Sequence, residues 1–205
     1  LRPDGDGYEL VAGHRRQRAS EIAGFKDMPC IVREMTDDEA VLAMTDDNLR
    51  QRSEILPSER AISLKMQIEA IKHQGEHASD QVGQKNAGKR SVDIVAEKNS
   101  LSAANVQRYV RLAGLEPDLL KAVDEKRLQF IPAVELSFIS RKNQKYIAVS
   151  SEGEQKFPSL DQAKKMRALD QTGQRNNDVI YGILTAKAKE VEKVNLSGAE
   201  LEKYF

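Results

Sequence analysis

The stretch Ser91-Val-Asp-Ile-Val-Ala-Glu-Lys-Asn-Ser-Leu-Ser-Ala-Ala-Asn-Val-Gln-Arg-Tyr-Val-Arg111 has the spacing of a helix-turn-helix motif. Ala96 is the small residue that the first helix needs where the second helix crosses it. Asn99 and Ser100 form the predicted turn, and Asn99 is expected to take the left-handed conformation that glycine usually supplies there. The apolar positions facing back toward the first helix are Leu101, Val106 and Tyr109. The spacing predicts two crossing helices within residues 91–113.

The second of these helices carries polar side chains that suit the edges of DNA bases. Ser102 is expected to cap its N-terminus. Asn, Gln and Arg side chains form paired hydrogen bonds with adenine and guanine in the major groove. The candidate DNA contacts are Ser102, Ala103, Ala104, Asn105, Gln107, Arg108 and Arg111, together with Lys89 and Arg90 just before the first helix. The alternative is a helical hairpin whose polar face is simply solvated.

Charge is unevenly distributed along a chain whose formal net charge is zero, with 32 basic and 32 acidic residues among 205. Residues 84–111 contain six basic and two acidic residues, whereas residues 34–47 contain six acidic and no basic ones. Contact with phosphate depends on local charge density rather than on the total. The distribution therefore fits one basic module attached to a neutral or acidic remainder.

The composition also narrows the class of protein. A single cysteine, Cys30, rules out an internal disulfide framework and fits a reducing cytoplasm. The three histidines are scattered, so no structural metal is expected. No apolar run reaches the length of a membrane span, and no membrane partner is expected.

A second informative place is the arginine-rich turn Gly13-His14-Arg15-Arg16-Gln17-Arg18, between a predicted strand and a predicted helix. Glycine allows the backbone to approach a ligand closely. Arginines in the first turn oppose the helix dipole. A bound phosphate would offset that cost, because it accepts hydrogen bonds from both amides and guanidinium groups. The alternative is that Arg15, Arg16 and Arg18 pair with the acidic residues 37–47, and the residues alone leave both open.

The remaining sequence predicts an α+β protein with three parts. Residues 1–56 form a small mixed α/β domain, with strands at 8–12 and 29–35 and helices at 14–23 and 37–50, the latter with a Thr36–Glu39 capping box. The chain begins directly before a strand, so this domain is expected to lack its first strand. Residues 57–140 form an all-helical DNA-binding domain, and residues 141–205 a helical C-terminal segment. Helices are predicted at 59–73, 91–98, 103–113, 117–125, 132–140, 160–170 and 177–187, with a polar linker at 74–90 and a short strand and helix at 191–205.

Two stretches resemble motifs of the ParB-type partition family. Residues 7–19, which include Gly-His-Arg-Arg-Gln-Arg-Ala, are similar to the family's Gly-Glu-Arg-Arg-x-Arg-Ala box, with His14 in place of the glutamate. Residues 47–57, Asp-Asn-Leu-Arg-Gln-Arg-Ser-Glu-Ile-Leu-Pro, are similar to its second box, Glu-Asn-x-x-Arg followed by a Leu-x-Pro-like segment. The helix-turn-helix spacing follows at the family's usual distance, so the resemblance covers roughly residues 7–140.

The resemblance implies a nucleotide site as well as a DNA site. It implies that CTP binds with Mg²⁺, that Asn48 lies near the metal, and that Asp47 occupies the position of the catalytic glutamate of a slow CTP hydrolase. The implied nucleotide-binding residues are Gly13, His14, Arg15, Arg16, Asn48, Arg50 and Arg52, where Arg50 or Arg52 is the arginine of the second box. The implied partners are a palindromic, centromere-like site on double-stranded DNA, a second copy of the chain in a dimeric clamp, and a Walker-type partition ATPase. The implied location is the cytoplasm, at the nucleoid.

Other functions on the same scaffold stay open. A nucleoid-occlusion factor or transcription regulator would share the helix-turn-helix. A small-molecule kinase related to the N-terminal fold would share the phosphate turn but would not need a DNA-binding motif. A sulfiredoxin needs a cysteine in that turn, and residues 12–15 contain none.

Overall fold

The computed structural model describes residues 1–51, 54–77, 89–173 and 177–186. Within these ranges the chain is mostly helical, with one small sheet at the N-terminus. The strands are β1 (Arg2–Asp4) and β2 (Gly7–Glu9). The helices are α1 (His14–Ile22), α2 (Asp37–Gln51), α3 (Pro57–His77), α4 (Ser91–Lys98), α5 (Ala103–Leu112), α6 (Pro117–Asp124), α7 (Phe130–Leu136), α8 (Arg141–Gly153), α9 (Leu160–Gln171) and α10 (Asn177–Thr185). Helices with one small sheet agree with the α+β expectation at that level.

The sheet is a short antiparallel hairpin that pairs Arg2 with Glu9 and Asp4 with Gly7. The strand predicted at 8–12 is therefore correct only at its first two residues. The strand predicted at 29–35 is wrong: this segment belongs to no sheet. Its described backbone contacts are with one residue, since the Leu1 amine donates to Ile31 O and Arg33 N donates to Leu1 O, both at 3.0 Å. β-forming side chains at 29–35 do not make a strand without a neighbouring strand to pair with.

Helix α2 begins with the predicted capping box. Thr36 N donates to Glu39 Oε2 at 2.9 Å, and Glu39 N donates to Thr36 Oγ1 at 3.3 Å. Both amides would otherwise lack a partner inside the helix. The start of α2 is correctly predicted. It could be recognised because the two capping residues lie only three positions apart in the sequence.

Helix α3 is longer than predicted and is capped from a distance. It begins at Pro57, where proline suits the first helical turn because its missing N–H has no partner there in any case. Asp124, at the end of α6, accepts from Ser58 N at 3.0 Å and from Ser58 Oγ at 2.5 Å. A carboxylate contributed by another helix thus satisfies the first turn of α3.

Two buried apolar clusters meet along α3. The smaller one joins α3 to α4 and α5 through Leu64, Ile68, Val95, Ala96 and Val106. The larger one extends from Ala61 on α3 through α5–α9 to Leu184 on α10. This larger core crosses residue 140, where the sequence suggested a boundary between the helical domain and the C-terminal segment.

The C-terminal part contains a helix that the sequence analysis missed, α8. Most of the linker predicted at 74–90 and the whole tail predicted at 191–205 lie outside the described residues. None of the helices in the described ranges is long and apolar enough to cross a membrane.

Candidate functional site

Helices α4 and α5 pack across a short turn as their spacing predicted. Ala96 is 5% exposed where the helices cross, and Val106 on α5 is fully buried. Ser102 caps α5, since Asn105 N donates to its Oγ at 3.2 Å. These contacts fix α5 on the core through one face and leave its other face toward solvent.

The left-handed residue of the turn is Ser100, with φ 54°, and not Asn99 as predicted. Asn99 has φ −101° and ψ 8°. Its side-chain amide donates to Val95 O and to Gln67 Oε1, both at 2.8 Å. Those two bonds hold Asn99 in place, so the change of chain direction falls on the next residue.

Most of the candidate DNA contacts on α5 lie on its outer face, but Ala103 packs against the smaller apolar cluster. Ser102, Ala104, Gln107, Arg108 and Arg111 are exposed, while Ala103 and Asn105 are half-buried. Arg108 Nη1 donates to Asn105 Oδ1 at 2.8 Å, which orders both side chains. The Arg111 guanidinium lies 4.5 Å from the centre of the Phe138 ring, a cation–π contact from α5 to the loop after α7.

Lys89 and Arg90 are already paired with acidic side chains of α4. Lys89 Nζ lies 2.8 Å from Glu97 Oε2, and Arg90 donates to both oxygens of Asp93 at 2.9 and 3.0 Å. These hydrogen bonds lower the pKa of the Glu97 and Asp93 carboxyls. Their stabilising contribution is therefore present above the ordinary carboxyl pKa and is lost as the pH falls through the lowered value. All four groups are solvated, so phosphate can compete for the two cations.

The arginine-rich turn lines a cavity with two adjoining compartments of about 510 and 540 Å³. Both volumes fall in the range of small-molecule sites. Five residues line both compartments: Val11, Ala12, Gly13, Arg16 and Asp47. His14, Arg15, Ala19, Met44 and Asn48 complete one, and apolar side chains such as Leu10, Met28, Ile31 and Met35 dominate the other.

Gly13 gives the turn its shape. Its φ is 98°, a conformation that residues with a Cβ rarely adopt. A Cβ there would lie 3.8 Å from Arg16 Nε and Nη2, so the guanidinium folds back over the glycine. The helix N-terminus and a guanidinium thus face the same space, as an anion requires.

The arginines of this turn do not pair with the acidic helix α2. Arg18 pairs within its own helix, with Nη1 3.0 Å from Glu21 Oε2. In the part of the chain that the structure describes, Arg15 and Arg16 make no ion pair. The alternative of pairing with residues 37–47 is therefore not observed, and the two guanidinium groups are available to a ligand.

The remaining predicted nucleotide residues are less closely grouped. Asp47 and Asn48 line the cavity from α2, and their oxygens are of the hard type that suits Mg²⁺ held through a nucleotide phosphate. Arg50 is exposed in the last turn of α2 and lines neither compartment, and Arg52 lies outside the described residues. Among the described residues no group of three His, Cys, Asp or Glu side chains forms a metal site of its own. Arg33 and Cys30 also line the cavity and were not predicted from the sequence, because the segment that brings them there belongs to no helix or strand.

The N-terminal part of the chain matches a family model of known proteins. Residues 1–49 match the family model described as the ParB N-terminal domain. The resemblance to the ParB-type partition family, predicted from residues 7–19 and 47–57, is thereby confirmed.

Individual relatives extend this similarity. The chain is 40% identical over 87 residues to the chromosome-partitioning protein ParB of Myxococcus xanthus, covering 42% of this chain and 29% of that protein. It is 34% identical over 124 residues to the chromosome-partitioning protein Spo0J of Thermus thermophilus, covering 60% and 39%. It is 32% identical over 125 residues to a probable plasmid-partitioning protein ParB of Xylella fastidiosa, covering 61% and 26%. The chain thus spans less than two fifths of the length of each of these relatives.

Among solved structures, the chain is similar to a C-terminally truncated chromosome-partitioning protein ParB from Caulobacter crescentus, which was crystallised with the centromeric parS site. The two chains are 23% identical, with a TM-score of 0.47, and the match covers 83% of this chain and 80% of the other.

Proposed function

We propose that this chain is the DNA-binding part of a partition protein and reads a palindromic, centromere-like site through α4 and α5. The observation that carries the proposal is the single polar face of α5. Ala96 and Val106 hold α5 on the core, and Gln107, Arg108 and Arg111 project from it. A helix held in this way enters the major groove with its N-terminal half leading.

Base recognition is assigned to Asn105, Gln107 and Arg108. Glutamine and asparagine pair with adenine, and arginine with guanine. Lys89 and Arg90 are assigned to phosphates, because they lie at the N-terminus of α4 on flexible side chains with solvated partners. Two copies of the chain would read the two halves of a palindrome.

The test is selection of a preferred duplex from a random pool, followed by titration at one fixed salt concentration. The change Gln107→Ala should weaken binding to the selected duplex by roughly 1–3 kcal/mol for one lost base contact. Its affinity for a scrambled duplex of the same length should stay the same, because phosphate contacts are unaffected. An unselective pool, or equal losses on both duplexes, would count against base recognition by α5.

We further propose that the N-terminal cavity binds CTP with Mg²⁺. The phosphates are assigned to Gly13, His14, Arg15 and Arg16, and the metal together with a phosphate is assigned to Asn48. The nucleotide-binding arginine of the second box is assigned to Arg50 or Arg52. The support is the conjunction of a φ 98° glycine, a helix N-terminus and two arginines that form no ion pair within the described ranges, all at one cavity. Asp47 is assigned the positioning of water for slow hydrolysis, which is the enzymatic part of the proposal.

Titration calorimetry with CTP and Mg²⁺ tests this site. Arg16→Ala should weaken binding by about tenfold or more, because hydrogen bonds to charged groups contribute roughly 1.5–3 kcal/mol. Arg18→Ala is the matched control, since Arg18 lies two residues away, pairs with Glu21 and lines neither compartment. Equal affinities for the two variants would remove the nucleotide assignment and leave the DNA assignment standing.

The resemblance to the partition family also supports a proposal about the role of the whole protein in the cell. A dimer of the whole protein would close on DNA as a clamp at its site, and a Walker-type ATPase would move the resulting complexes apart at the nucleoid. Co-purification of that ATPase with the full-length protein, lost when the selected DNA site is deleted from the genome, tests this part.

A further inference from the structure

A chain of hydrogen bonds runs from α2 through α3 to the turn between α4 and α5. The Gln67 side chain on α3 donates from Nε2 to Asp46 Oδ1 at 2.8 Å and accepts at Oε1 from Asn99 Nδ2, also at 2.8 Å. The second oxygen of Asp46 lies 2.7 Å from Lys98 Nζ. We call these four residues, Asp46, Gln67, Lys98 and Asn99, the α2–α4 relay.

The centre of the relay is closed to solvent. Gln67 is 0% exposed, and the Asp46 and Lys98 side chains are 24% and 29% exposed. A buried amide that loses a partner cannot replace it with water, so separating either end from Gln67 is unfavourable. The relay therefore keeps α2 and the end of α4 in a fixed relation.

One end of the relay adjoins the N-terminal cavity. Asp46 directly precedes Asp47 and Asn48, which line that cavity. Successive residues of a helix point roughly 100° apart, so Asp46 faces α3 while Asp47 faces the cavity. Any ligand that shifts or rotates α2 must move Asp46 with it.

The other end of the relay sets where α5 begins. Asn99 is followed by the left-handed residue Ser100, and Leu101 N then donates to Ala96 O at 2.9 Å. Ser102, the cap of α5, comes next. With so few residues between Asn99 and the first turn of α5, a shift of Asn99 displaces the face that carries Gln107 and Arg108.

We propose that Gln67 is a positioning residue through which a ligand in the N-terminal cavity and DNA on α5 alter one another's affinity. This inference rests on the proposed function of both sites. Coupling of this kind is reciprocal, so it has the same size whichever ligand is added first. Gln67 touches neither ligand, and its effect passes through Asp46 at one end and Asn99 at the other.

The experiment measures the coupling factor, the ratio of the CTP dissociation constants of the full chain without and with the selected duplex at saturation. For the unmodified chain we expect a factor at least about fivefold away from 1, the lower end of common allosteric effects. Gln67→Met keeps the buried volume but removes both hydrogen-bonding ends. It should bring the factor to within about twofold of 1 and leave each ligand's separate affinity within about threefold.

Gln144→Met is the matched control. Gln144 is a second buried glutamine, which lies on α8 and is 2% exposed. Its side chain donates to Ile139 O at 2.7 Å and accepts from Glu116 N at 2.9 Å. It should keep the coupling factor of the unmodified chain, even though it loses a comparable pair of bonds. If Gln67→Met does not fold, the coupling factor is measured in Asn99→Ala, at the partly exposed end of the relay. It should likewise come to within about twofold of 1.

The outcomes separate the relay from the proposed function. A coupling factor preserved in Gln67→Met, or lost equally in Gln144→Met, overturns the relay. An unmodified chain that binds CTP and DNA independently also overturns the relay, and the proposed function survives. A chain that binds neither ligand overturns the proposed function and the relay together.

Discussion

Gly13 is the residue on whose backbone the cavity depends. With φ at 98°, an alanine there must adopt a left-handed conformation that costs roughly 1–2 kcal/mol. The new Cβ would lie 3.8 Å from the Arg16 guanidinium, an ordinary contact, so the cost comes from the backbone and not from a clash. We expect Gly13→Ala to lower the free energy of unfolding of the chain by about that amount in urea denaturation.

Gly182 provides the opposite case as a control. It lies within α10, has none of the described residues within 4 Å of an added Cβ, and does not have a positive φ. Gly182→Ala should therefore raise the free energy of unfolding by roughly 0.5–1 kcal/mol, the helix-interior difference between the two residues. If both variants changed stability in the same direction, the conformational explanation for Gly13 would be wrong.

Residue-level features were predictable where both partners lie close together in sequence. The Thr36–Glu39 box and the Ser102 cap each join residues three apart. The conformation of Asn99 was mispredicted because one of its two partners, Gln67, lies 32 residues away on another helix. Side-chain partners brought together only by the fold leave no local pattern in the sequence.

At the level of elements, two acidic side chains of α4 form ion pairs that partly neutralise the basic residues before it. Glu97→Gln should release Lys89, whose ammonium lies 2.8 Å from the Glu97 carboxylate. Without the Glu97 carboxylate to compete for the ammonium, the phosphate contact assigned to Lys89 should be complete, which should steepen the slope of log affinity against log salt by up to about 0.9 for a duplex. Fluorescence anisotropy over a series of salt concentrations measures this slope.

Glu152→Gln is the control for that measurement. It removes a carboxylate of the same kind from α8, where Glu152 lies 2.7 Å from Arg127, away from the α4–α5 pair in sequence. Its slope should match that of the unmodified chain. Equal slopes for all three proteins would show that Glu97 does not withhold Lys89 from the DNA phosphates.

Two element predictions failed for different physical reasons. The segment 29–35 has β-forming side chains, but a strand is defined by its neighbours, and β1 is already paired with β2. Helix α8 was missed because its buried face is partly polar. Asn143 there donates to Asp170 Oδ1 at 2.6 Å, and Gln144 bonds the backbone of Ile139 and Glu116. These side chains interrupt the apolar periodicity that identifies a helix in sequence.

At the level of the whole molecule, the larger core joins α3 to α10. Leu184 on α10 is fully buried in that cluster. Leu184→Ala should lower the free energy of unfolding by about 2–5 kcal/mol, through lost burial and a residual cavity. Because the cluster is continuous to Ala61, the loss should appear in a single denaturation transition monitored by circular dichroism.

Val149→Ala is the comparison for that change. Val149 is 72% exposed on α8, so its loss should alter the free energy of unfolding by less than about 0.5 kcal/mol. A separate transition for residues after 140, or equal effects of the two variants, would show that α8–α10 unfold independently of α3.

The division of the chain into domains stays a prediction. A boundary near 140 follows from where the resemblance to the family ends. The larger apolar cluster contains residues from both sides of that position, namely Ile139, Ile147 and Met166. Sequence pattern shows which face of a helix is apolar, but not which other helix covers it.

The cap that Asp124 provides for α3 has a consequence for how the chain folds. The Ser58 amide and hydroxyl donate to a carboxylate 66 residues further on, so this cap of α3 cannot form until α6 has been made and has docked. During synthesis, α3 would therefore emerge with a frayed beginning. A nascent chain whose cavity residues are already outside the ribosome would still lack the cap of α3 until α6 has followed.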